Sequence, residues 1–89
     1  MTEMKGGARD QDAISFGLII KRLRMQRGWT IQQLARAVGM SRVHLGVIER
    51  GGNAPSLRSF ISLSHALGAD PLEVLREILQ TRELFRKRA

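Results

Sequence analysis

The sequence predicts an all-α fold, a compact bundle of five short helices in one domain. Three observations carry this. Apolar residues recur at helical spacing in five separate segments. Glycine and proline stand between those segments, where helices stop and start. No stretch alternates with period two for long, so no strand competes. A chain of 89 residues makes one small domain, and with no cysteine it has no disulfide or thiolate zinc site to stabilise it. Packed helices or a second subunit must do so.

The first helix is expected from Ser15 to Arg27. Phe16, Ile20 and Leu23 form its stripe and Ile19 widens it, Ser15 or Asp12 caps its start, and Gly28 ends it. The second begins after Thr30, an N-cap residue, and carries Leu34, Ala35 and Val38 before Gly39. The third begins at Ser41, another N-cap, with Leu45 and Ile48 on one face, and closes at Gly51-Gly52. The fourth follows Pro55-Ser56, with Leu57, Phe60, Leu63 and Leu67 inward and Gly68 as its stop. The fifth opens on Asp70-Pro71, a cap followed by proline in the first turn. It shows Leu72, Leu75, Ile78 and Leu79, the first of which is expected to cover the domain's own core, and then a charged tail over 81–89. Residues 1–12 read as a polar, disordered arm, which leaves 13–80 as the domain.

Charge is unevenly spread. Residues 13–68 hold eight lysines and arginines but a single acid, Glu49, whereas the flanking segments are near neutral. A basic middle suggests a polyanionic partner. No apolar run approaches the roughly 20 residues that span a bilayer, and no secretory signal opens the chain. The absence of cysteine fits a reducing compartment, so a cytoplasmic location is expected. The sequence contains no metal-ligand cluster, no paired carboxylates and no phosphate-cradling glycine loop. No enzyme, cofactor, metal or small-molecule ligand is therefore expected. His44 and His65 lie 21 residues apart with no supporting ligands. With one tryptophan and no tyrosine, there is no aromatic platform for single-stranded nucleic acid.

The second and third helices are separated by little more than "GM", so they must cross steeply. Ala35 sits where their axes approach, and Gly39 takes the left-handed conformation that costs other residues about 1–2 kcal/mol. The pattern A-x3-G-x5-L-x2-I formed by Ala35, Gly39, Leu45 and Ile48 marks a helix-turn-helix unit, although a structural helical hairpin can share it.

With "IKRLRMQRGWT", "LARAVGMS", "IERG" and "APSLRSFISLSHALGADP" in place, the chain resembles the Xre/Cro-type helix-turn-helix family. That family includes phage repressors, Cro proteins and restriction–modification controllers. The likeness runs from about Phe16 to Leu75 and implies a lambda-repressor-like architecture. It implies an ion pair between Arg24 and Glu49, which makes Glu49 a structural clasp. It implies double-stranded DNA as the partner, with the third helix in the major groove. Carried over by position, Ser41, Arg42, Val43, Gly46 and Val47 face the groove, and Arg42, Val43, Gly46 and Val47 are the expected base contacts. Arg42 suits a guanine and the valines suit thymine methyls. Phosphate contacts are expected from Thr30, Gln32, Ser41, His44, Arg50, Asn53 and Arg58. Two positions depart from the family pattern: Ile31 stands where glutamine is common, and Gly46 where a polar residue is usual.

Specific repressors of this kind bind as symmetric pairs, and Leu75, Ile78 and Leu79 are the expected homodimer interface, with Phe85 extending the stripe. The expected function is transcription regulation at a palindromic operator. One alternative is an antitoxin whose partner is a toxin protein and whose DNA binding is autoregulatory. Another, from "GLIIKRLRMQRG", is a membrane-active cationic helix, and four further capped helices argue against it.

Overall fold

Asp10 opens the first helix. In the computed structural model, which describes residues 10–88, its carboxylate accepts the backbone N–H of Asp12 at 2.9 Å and of Ala13 at 3.3 Å. Helix α1 therefore spans Gln11–Gln26, and Ser15, expected to cap it, is buried within it. Asp12 does not cap either, because its carboxylate pairs with Arg82 of the last helix. Residues 10–12 thus belong to the folded domain, and 1–9 of the expected arm lie outside the described residues.

Helix α2 spans Ile31–Val38, α3 Arg42–Glu49, α4 Leu57–Ala66 and α5 Pro71–Arg88. Their starts follow the expected chemistry. Thr30 and Gln33 form a reciprocal cap, each side chain accepting the other's backbone N–H, at 3.1 and 2.8 Å. Ser41 accepts the His44 N–H, Ser56 that of Ser59, and Asp70 that of Leu72. Helix α5 continues through the segment read as a tail. Its later residues are good helix formers, Arg86 pairs with Glu83 three residues away, and Arg82 ties it back to α1. The side chains of Phe85, Lys87 and Arg88, and the roles expected of them, lie outside the described residues.

The core joins Phe16, Ile19 and Ile20 of α1 to Leu34 and Ala35 of α2 and to Leu45 and Ile48 of α3. Leu63 and Leu67 from α4 and its cap, and Val74 and Ile78 of α5, complete it. The Phe16 and Phe60 rings meet at 5.3 Å between centroids. Three apolar residues depart from expectation. Leu57, expected inward, is 75% exposed, because as the first residue of α4 it precedes the turn that meets the core. Leu72 is exposed as well, and Val74 takes its place inside. Ile78 is 6% exposed, so it is a core residue of its own subunit and not an available dimer contact. The reason is helical phase. Val74 and Ile78 are one turn apart and share the inner face, whereas Leu72, Leu75 and Leu79 form a second stripe turned away by roughly 100°. Leu75 and Leu79 remain exposed, as expected.

The bidentate pair between Arg22 and Glu77, at 2.7 and 3.1 Å, links α1 to α5. The hydrogen bonds from Arg22 hold the Glu77 carboxyl below the usual carboxylate range, although partial burial pushes the other way. A lowered folded value stabilises above the unfolded value and is lost as pH falls through the folded one. Both side chains are more than one-third exposed, so the effect is small. Glu77→Gln should lower the unfolding free energy by about 0.5 kcal/mol at neutral pH. Thermal midpoints of the two proteins should converge below about pH 4.

Candidate nucleic-acid interface

The turn between α2 and α3 is built by Gly39, whose φ of 70° is left-handed. Its N–H donates to Arg36 O at 3.3 Å and the following Met40 N–H to Ala35 O at 2.9 Å, which satisfies carbonyls at the end of α2. Ser41 then caps α3 at once. Leu45 and Ile48 are fully buried, so they hold the inner face of α3 on the core and fix which residues point out. The outward face shows Ser41, Arg42, Val43 and His44, with Val43 72% exposed. Val47 is half-buried, packed beside Gly52 in the loop that follows.

Gly46 does not match its expected role as a base contact. It is buried, and a β-carbon added there would lie 3.3 Å from a guanidinium nitrogen of Arg50. The exposed Arg50 side chain folds back one turn and covers the position.

The candidate phosphate contacts fall into separate places. Ser41, His44 and Arg58 come together in a polar cleft of about 370 Å³ between α3 and α4, with Ser59 and Ser62 beside them. The two serines are not legible in the sequence, because only the packing of α4 on α2, which leads into α3, brings their turn of helix beside Ser41. Thr30 and Gln32 stand exposed at the start of α2, and Asn53 is exposed in the loop after α3. Thr30's hydroxyl accepts the Gln33 N–H and keeps its own proton to donate.

Behind this surface lies the clasp. Arg24 donates to both carboxylate oxygens of Glu49, at 2.7 and 3.0 Å, and to the Trp29 carbonyl at 2.7 Å. The two side chains are 10% and 4% exposed. Hydrogen bonding to Glu49 raises the Arg24 pKa above its ordinary value, against the effect of burial. One guanidinium thereby joins α1, the loop that follows it and the end of α3. The electrostatic consequence reaches the surface. Glu49 is the single acid between residues 13 and 68, and it is buried in an ion pair, so the outer surface of α2 to α4 carries bases alone. Trp29 is half-buried against the core, with the Arg27 guanidinium 4.9 Å above its ring.

A residue that the sequence did not single out positions α3 as well. A β-carbon at Gly17 would lie 2.6 Å from the Glu49 carbonyl oxygen and nearer still to that of Ile48. Backbone touches backbone where α1 crosses the end of α3. A glycine inside an apolar helical run was the available signal.

Among the described residues no group of three or more histidines and acids is placed to hold a metal ion, and no helix is long and apolar enough to cross a membrane.

The profile of the helix-turn-helix family matches residues 20–74. The chain belongs to the Xre/Cro-type helix-turn-helix family. This helix-turn-helix protein is 40% identical over 48 residues to the HTH-type transcriptional regulator SutR of Escherichia coli (strain K12), a stretch covering 54% of this chain and 27% of that one. The chain thus spans little more than a quarter of that relative's length. The restriction–modification controller protein C.AhdI from Aeromonas hydrophila is 32% identical, with a TM-score of 0.69 over 73% of this chain and 98% of its own. The clp gene regulator ClgR from Corynebacterium glutamicum is 30% identical, with a TM-score of 0.77 over 86% and 82%. These matches are to a transcriptional regulator, a restriction–modification controller protein and a gene regulator.

Proposed function

We propose that this helix-turn-helix protein regulates transcription as a cytoplasmic homodimer on a palindromic operator, with α3 of each subunit in the major groove. One observation carries the reading. The face of α3 turned away from the core presents Arg42 and Val43 on a surface from which negative charge has been withdrawn into the Arg24–Glu49 pair. Arg42, near the start of the helix, donates two hydrogen bonds to a guanine O6 and N7, and Val43 packs on a thymine methyl. Val47 contributes only its exposed edge. The α3–α4 cleft receives one backbone phosphate from Ser41, His44 and Arg58, while Thr30 and Gln32 meet another at the start of α2. The exposed stripe of Leu72, Leu75 and Leu79 leaves an apolar patch that a second subunit covers. Pairing sets the two recognition helices about 34 Å apart or a multiple of it. The controller and gene-regulator roles named for the relatives support the same reading.

Selection of bound fragments from random double-stranded DNA tests it. An inverted repeat should emerge, with a guanine in each half-site. Arg42→Ala should weaken binding to that site by roughly 5- to 150-fold per half-site and relax the choice at the guanine. Recovery of fragments with no shared sequence, or of single unpaired half-sites, would refute the proposal.

A further inference from the structure

Arg50 stands at the end of α3, where a phosphate contact is the ordinary expectation. Its guanidinium lies instead over Gly46, against the position that a side chain there would fill. We infer that Arg50 reads a second base pair in each half-site, and that Gly46 is glycine to give its guanidinium that place. The inference rests on the DNA-binding reading above and deepens it.

Helical phase supplies the first reason. At about 100° per residue, position 46 falls between exposed Arg42 and Val43 on the wheel, away from the inward-facing Leu45 and Ile48, and Arg50 falls in the same arc. A guanidinium held there points at the floor of a groove. A phosphate contact needs the edge of the face, where the DNA backbones run. Distance supplies the second. Arg42 and Gly46 are four residues apart, so the two positions on the helix are separated by about 6 Å along the axis. That is close to two base-pair steps of about 3.4 Å. Charge supplies the third. Two guanidinium groups on one short helix favour the two acceptors, O6 and N7, of guanine over other base edges.

The glycine then has a cause. Glycine inside a helix is unfavourable relative to alanine, and here the space it leaves is taken by the arginine one turn later. A larger residue at 46 evicts the guanidinium toward the rim.

Two variants of the full chain test this by fragment selection beside the wild type. Arg50→Lys keeps the charge that a phosphate needs and loses the planar two-donor fork that guanine needs. Gly46→Leu keeps Arg50 and fills its seat. Both should retain the guanine opposite Arg42, and both should lose at least fivefold of the preference at one further base pair about two steps away. Circular dichroism confirms that each variant is folded. An Arg50→Lys protein with wild-type preferences at every position would overturn the inference and leave Arg50 a phosphate contact, with the DNA-binding reading intact. Arg50→Ala supplies a further check: uniform weakening across all sequences, with the salt slope reduced by about one, would also overturn it. A wild-type protein that selects no sequence at all would remove both readings together.

Discussion

Glu49→Ala should lower the free energy of unfolding by about 3–5 kcal/mol, the range for removing one partner of a buried ion pair. The cause is the charge left behind. Arg24 is 9% exposed and stays charged, and without Glu49 it keeps the Trp29 carbonyl as its acceptor. A small domain has only about 5–15 kcal/mol of stability in total, so the loss is a large fraction of it. Glu49→Gln tests the electrostatic part separately, because it preserves the shape and removes only the negative charge. It should also destabilise, by less than alanine does. Urea unfolding with a common slope for the three proteins gives the numbers. Wild-type stability in Glu49→Ala would mean that the clasp contributes nothing.

Gly17→Ala sets two effects against each other. Helix propensity alone favours alanine by about 1 kcal/mol in the interior of α1. Packing opposes it, because the added carbon meets the carbonyl oxygens of Ile48 and Glu49. Backbone cannot swing aside as the end of a side chain can. Overpacking of a tight core costs about 1–3 kcal/mol, occasionally more, so packing wins and the net change is destabilising. Movement of α1 away from α3 also stretches the Arg24–Glu49 pair, which spans the same two helices. Gly17→Val should be worse than alanine, with a further fall in thermal midpoint. A rise in the midpoint of Gly17→Ala would show that α1 and α3 are not in contact at this point.

The starts of α2 to α5 were legible because their signals are local. Thr30, Ser41 and Asp70 cap the helices they precede, and the cap bonds span only two or three residues. Leu34, Leu45, Ile48 and Leu63 are buried as their spacing implies. The start of α1 was misplaced because Asp10 lies before the first apolar residue of the stripe, and a cap inside a polar stretch resembles arm. The end of α5 was misplaced because charged residues form helix as readily as tail, and the Arg82–Asp12 pair that holds it joins residues 70 apart in sequence. In α5, several apolar residues at near-helical spacing left two possible inner faces, and Val74 was overlooked between leucines. The site divided along the same line. Arg42 and Val43 point outward because Leu45 and Ile48 point inward, and one helical period fixes both. The covering of Gly46 by Arg50, and the cleft that joins His44 to Arg58, depend on how side chains and helices settle in space.

By itself, the sequence determined that there would be five helices, where the sharp turn falls, and that the middle of the chain is basic. Composition, period and backbone preference act over a few residues and can be read there. Only the tertiary structure decided that the lone acid is hidden, that a glycine lets α1 lie against the end of α3, and which leucines of α5 remain exposed. Those outcomes are set by helices far apart in sequence, and burial and ion pairing exist only once they meet.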